Sequence, residues 1–141
     1  MLGINGLLFV IGTMAAATAA SAGNVSWDCN VPQTRPTRLV TEQYLFNYDP
    51  DKSEASVVDP IINYHKKGFI PVSKIKDDGD KVVFSWKIRT RNTSKTATLS
   101  YTASIDRKTG RFNVQAVPLG YDNDENVPGT CKQVPGPLAL K

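Results

Sequence analysis

KVVFSWKIRTRNTSKTATLSYTASIDRKTGRFNVQAV, residues Lys81 to Val117, alternates apolar and polar side chains with a period of two through three consecutive segments. That period is the signature of strands with one buried and one solvated face. In the first segment Val82, Phe84, Trp86 and Ile88 share a face opposite Lys81, Ser85, Lys87, Arg89 and Arg91. Ala97, Leu99, Tyr101, Ala103 and Ile105 then fall inward with Phe112, Val114 and Ala116, while Thr96, Thr98, Ser100, Thr102 and Ser104 fall outward. Asn92 to Lys95 and Asp106 to Gly110 supply short polar loops, so the three strands are antiparallel neighbours in a meander.

Working outward, Asp77-Asp78-Gly79-Asp80 reads as a hairpin turn preceded by a strand over Phe69 to Lys76, and Leu39 to Tyr48 as a strand ending at the turn signal Asp49-Pro50-Asp51. Residues 56–68 admit two readings. Asp59 as N-cap, Pro60 at the first position and Gly68 past the end describe a short helix. Alternatively, Ser56 to Val58 and Ile61 to Tyr64 are strands, which the β-branched residues favour. Asn24 to Arg38, with Pro32 and Pro36, is expected to be an extended lead-in. Pro118 to Lys141 is expected to pack irregularly as far as Cys131 and then fray. The expected fold is all-β and mainly antiparallel, a curled meander sheet or small up-and-down barrel with at most one short helix. A two-sheet sandwich is the alternative.

The first residues read as a secretory leader, 1–22. Leu7 to Ile11 is a short apolar run, Ala15 to Ala20 dilute it, and Ala20-Ser21-Ala22 offers a small-x-small cleavage pattern. No Lys or Arg precedes Leu7, which leaves an uncleaved anchor as the alternative. The run is too short for a comfortable membrane span, which needs about 20 apolar residues. The remaining chain, 23–141, is long enough for one domain with its own core. Periplasmic or secreted localisation follows. The chain has two cysteines, and for an exported protein the economical reading is one Cys29–Cys131 disulfide tying the two ends together.

Function is less legible. His65 is the only histidine, set in a turn-like Tyr64-His65-Lys66-Lys67-Gly68, so a nucleophile-histidine machine has no oriented partner in the sequence. Asp122-Asn123-Asp124-Glu125-Asn126 spaces oxygen ligands as a calcium loop would, but Val127 and Gln133 stand where the loop's glycine and bidentate glutamate belong. No metal and no cofactor is expected. A small hydrolase would need two or more of Glu42, Glu54, Asp59, His65 and Asp122 in one cleft. The net charge of +4 is mild, but Lys87, Arg89 and Arg91 form a basic stripe. With Thr98, Ser100, Thr102, Arg111, Asn113 and Gln115 on neighbouring strands, it makes a cationic, hydroxyl-rich candidate binding face. An anionic glycan, an envelope component or an acidic protein suits that face. Nucleic acid is disfavoured, because no outward aromatic interleaves the stripe to stack bases. Such outward faces are also commonly plain solvated surface. A closed barrel would also offer its interior, lined by Phe84 and Trp86, to a small apolar ligand.

Val58-Asp59-Pro60-Ile61, Phe84-Ser85-Trp86-Lys87-Ile88, Tyr101 with its following turn, and Pro118-Leu119-Gly120-Tyr121-Asp122-Asn123 leading to Gly129-Thr130-Cys131 resemble a family of small, exported, uncharacterised alphaproteobacterial proteins. Cys29 matches an early cysteine of that family. The resemblance implies a periplasmic or secreted β-domain and transfers no catalytic residue. Gly79 to Trp86 and the turn after Ile105 are also similar to surface-adhesin E-type domains, which usually place a cysteine where this chain has Asp106 or Arg107. The functional expectation is a non-enzymatic exported domain that acts by binding, with an inhibitor-like role as its most concrete form. A carboxylate-based hydrolase and an accessory subunit of an envelope complex are the alternatives. Asn24-Val25-Ser26 and Asn92-Thr93-Ser94 match the glycosylation acceptor pattern, which matters only in a eukaryotic secretory pathway.

Overall fold

A computed structural model describes residues 24–33, 38–91 and 95–140. The leader reading of 1–22 and the Asn92 acceptor pattern lie outside the described residues. The chain forms β1 (Val25–Asn30), β2 (Gln43–Asp49), β3 (Glu54–Val58), α1 (Pro60–Lys66), β4 (Ile70–Pro71), β5 (Lys74–Asp77), β6 (Lys81–Arg91), β7 (Thr96–Asp106), β8 (Arg111–Pro118) and β9 (Glu125–Pro135). They make one nine-stranded sheet in the order β4-β3-β2-β1-β9-β8-β7-β6-β5, antiparallel at every pairing.

That order is circular in the chain. Every two strands consecutive in sequence pair with each other except β4 and β5, which are the two edges, and the first strand pairs with the last. Residues 70–77 act as one interrupted strand that changes partner midway: the Val72 N–H donates to Ala55 O of β3, and the Ser73 N–H donates to Ser85 O of β6, both at 2.8 Å. The sheet is therefore curled until its edges meet in a single segment, the up-and-down arrangement expected from short connections.

Local chemistry sets the turns. The Asp78 carboxylate accepts from the Asp80 and Lys81 N–H groups, with Gly79 at φ +92° beside it. At the β7–β8 connection the Asp106 carboxylate accepts from Lys108 and Thr109 before Gly110 at φ +73°. Such positive φ values cost a side-chain-bearing residue and suit glycine. After β2, Asp49 likewise accepts from the Asp51 and Lys52 N–H groups.

The inward residues form an aromatic core. Trp86 stacks on Tyr101 with centroids 5.3 Å apart, Phe46 stacks on Phe84 at 5.1 Å, and Tyr44 meets Phe112 at 5.7 Å. All of these rings are fully buried, so the interior is packed side chain rather than a chamber, and the expectation of an internal apolar ligand site is set aside. The buried tyrosine hydroxyls are satisfied: Tyr101 donates to Leu39 O, Tyr44 accepts from the Thr41 N–H, and Tyr48 donates to Asp77. Only the Trp86 indole N–H is buried without a partner among the described residues.

Three sequence expectations are corrected, and the choice left open over residues 56–68 is decided. The tail does not fray after an irregular run: Glu125–Pro135 is a long central strand between β1 and β8, and beyond it Asn47 pairs with both the N–H and the C=O of Leu138. The irregular reading arose from Pro128, Gly129 and Pro135, but both prolines are exposed and glycine is the residue that fits where β9 approaches Asn30 O of β1. Residues 61–64 are helix, not strand. Asp59 accepts from the Ile62 N–H at 2.7 Å, Pro60 opens the helix, and Ile62 enters the core, which outweighs β-branched propensity. The strand expected over 39–48 begins only at Gln43, and that expected over 69–76 is split at Val72–Ser73. No helix among the described residues is long and apolar enough to cross a membrane.

Candidate functional site

Strand registers decide what the basic stripe touches. Lys87 lies opposite Ser100, Arg89 opposite Thr98 and Arg91 opposite Thr96. On the far side of β7, Thr102 lies opposite Gln115 and Ser104 opposite Asn113. Directly opposed residues share a face, with Cβ atoms about 4.5–5.5 Å apart. The predicted members of the face, Lys87, Arg89, Arg91, Thr98, Ser100, Thr102, Arg111, Asn113 and Gln115, therefore all occupy the outer surface of β6, β7 and β8.

The structure adds cations that sequence reasoning missed. Lys74 is opposite Ser85 and Lys76 opposite Val83, so both join the outer face beside the stripe. Their alternation, Lys74-Ile75-Lys76, was visible in the sequence, but only the pairing of β5 with β6 puts them on this surface. Lys74, Lys76, Lys81, Lys87, Arg89, Arg91 and Arg111 are all exposed, and neither ion pair among the described residues engages any of them. The carboxylate on this face is Asp106, opposite Lys81 at the end of the sheet and occupied with the Lys108 and Thr109 amides. No aromatic ring belongs to the outer positions of β5 to β8. Two exposed apolar residues, Leu119 and Tyr121, lie on the loop tied to this surface by the Leu119 N–H donating to Thr98 O.

The acidic candidates come from several different elements. Asp59 is buried beneath α1, where its carboxylate accepts from the Ile62 N–H and the Thr41 hydroxyl. Burial pushes that carboxyl above its ordinary range, and these hydrogen bonds oppose the shift. Glu42 precedes β2, Glu54 opens β3 at the end opposite Asp59, His65 lies on α1 against Tyr64, and Asp122 stands exposed between β8 and β9. Glu125, read as part of a possible cation loop, instead turns inward and accepts from the Arg38, Leu39 and Val40 N–H groups at 2.7–2.9 Å. Among the described residues no group of three or more His, Cys, Asp and Glu is placed to hold a metal ion.

The end of the sheet beyond β5 carries a second charged assembly. Arg107 donates two hydrogen bonds to Asp77, at 2.6 and 2.9 Å, and lies 5.8 Å from the Trp27 ring. The guanidinium holds the Asp77 carboxyl well below the usual carboxylate range, helped by the Gly79 N–H and the Tyr48 hydroxyl. Both charges are consumed in closing the end over Trp27 and Tyr48, a structural role. The cysteines are likewise structural: Cys29 and Cys131 face each other across β1 and β9 and are disulfide-bonded. Compared with family models, with curated proteins and with solved structures, the chain matches none.

Proposed function

We propose that this chain is an exported, non-enzymatic binding domain whose outer β5–β8 face takes an anionic partner of the cell envelope. The observation that carries this reading is the concentration of exposed lysines and arginines on one sheet face, in register with a row of hydroxyls and without ion-pair partners among the described residues. Unpartnered cations spaced about 6.6–6.8 Å apart along a strand present a field that a mobile, single charge cannot neutralise but an extended anion can. Serine and threonine hydroxyls beside them donate hydrogen bonds to the same oxygens. The disulfide supports export, since such bonds persist in oxidising compartments.

The test is salt-dependent retention of the full chain on immobilised heparin, with neutral dextran as control. K87E/R89E/R91E together are expected to move elution to markedly lower salt while leaving the urea unfolding midpoint unchanged, because these side chains are exposed and support no packing. Elution of the triple variant at the wild-type salt concentration removes the face from consideration.

A further inference from the structure

The interruption of the strand over residues 70–77 leaves part of β6 without a neighbour. Pairing between β5 and β6 ends at Lys74 opposite Ser85, where the Ser73 N–H donates to Ser85 O. At the hairpin below, the Asp78 N–H donates to Lys81 O. Odd-numbered residues of β6 therefore turn their backbone groups toward β5, and by the two-residue repeat of an antiparallel ladder Lys87, Arg89 and Arg91 do the same. Past Ser85 the chain has swung over to β3: Ile70 and Pro71 pair with Val57 and Ser56. The N–H and C=O groups of Lys87, Arg89 and Arg91 thus face a lane in which no strand among the described residues pairs with them.

We propose that this lane receives an extended acidic segment of a partner protein, added to β6 as a further strand. The inference rests on the anionic-face reading and names the partner class for that site. A strand laid along residues 86–91 continues the line of β5 and completes the missing ladder, the main-chain recognition used wherever a peptide augments a sheet edge. Its alternate side chains fall on the outer face about 5 Å from Lys87, Arg89 and Arg91, so carboxylates at every second position pair with the stripe. Lys74 and Lys76 extend the same charge along β5. A second copy of this chain fits poorly, because edge-to-edge pairing would set Lys87, Arg89 and Arg91 against their own counterparts. The charges that keep β6 from pairing with itself are those that select an acidic strand. A polysaccharide satisfies the cations but not the backbone groups of the lane.

The deciding experiment titrates the full chain into a fluorescein-labelled peptide alternating glutamate and threonine, followed by anisotropy. Two further peptides carry N-methyl groups on alternate amides, in one phase or the other. Only one phase points its amides at β6, so strand addition predicts a loss of about tenfold or more for one N-methylated peptide and less than about twofold for the other. Equal affinity of the two methylated peptides overturns strand addition and leaves the heparin result to stand or fall separately. Absence of peptide binding with heparin retention intact assigns the face to an anionic polysaccharide and also overturns the inference. A doubled mass in sedimentation, unaffected by peptide, gives the edge to a second copy and overturns it too.

Discussion

Asp77 shows how one side chain can hold an end of the sheet closed. It accepts from both terminal nitrogens of Arg107, from the Tyr48 hydroxyl and from the Gly79 N–H, and Arg107 in turn covers Trp27. Because the folded carboxyl is held below its unfolded value of about 3.9, the stabilisation is complete above that pH and is lost as pH falls through the folded value. Asp77→Asn should therefore lower the urea-derived stability by about 1–2 kcal/mol at pH 7, discounted for partial exposure of the pair. The gap between variant and wild type should narrow below about pH 4, where the unfolded chain's Asp77 takes up a proton that the folded carboxylate still resists. A gap independent of pH between 2 and about 7 contradicts this assignment. None of this was legible in Asp77-Asp78-Gly79-Asp80, which announces a turn; the partner, Arg107, lies in the turn of a different hairpin.

At the level of elements, β6, β7 and β8 were legible almost to the residue because one face of each is buried and a period of two leaves little freedom in register. β9 was not. Its inward positions run Glu125, Val127, Gly129, Cys131, an anchor, a small apolar group, a glycine and a half-cystine, which shows no hydrophobic alternation. Gly129 explains why. A Cβ there would collide with Asn30 O of β1 and press on the Phe112 ring of β8, so the strand is admitted by what it lacks. Gly129→Ala should cost about 1–3 kcal/mol in urea unfolding, whereas Thr130→Ala, exposed on the opposite face, should change stability by less than about 0.5 kcal/mol. Equal effects of the two substitutions would show that β9 does not approach β1 as described. Helix α1 was legible only as one of two readings. Its decision came from Ile62 reaching the core and from Thr41, a residue distant in sequence, fastening the Asp59 cap.

For the whole molecule the governing fact is circular pairing. β1 and β9, from opposite ends of the described chain, are neighbours, and the Cys29–Cys131 bond across them closes a sequence separation of 102 residues. In the chain-entropy model such a loop is worth at most about 4–5 kcal/mol, so a Cys29→Ala, Cys131→Ala double variant should lose about 2–4 kcal/mol by urea unfolding. It should keep its far-UV circular dichroism, because β1 remains hydrogen-bonded to β2 and β9 along its whole length. Loss of the sheet spectrum in the variant would mean that the covalent bond, not the pairing, holds the two strands together. The same circularity ends at one place, the change of partner at Val72–Ser73, and there the lane beside Lys87, Arg89 and Arg91 opens. Alternation by itself determined the all-β class, the inward aromatic set and the outward basic stripe, because side-chain direction in a strand follows from position alone. The two cysteines, read with the expectation of export, pointed to the staple. Only the tertiary structure decided that β9 is central, that Lys74 and Lys76 join the stripe, that Glu125 and Asp77 are tied down, and that β6 keeps an open edge. Each of those depends on which strands become neighbours, and neighbour choice is settled by contacts between residues far apart in the chain, which no local period records.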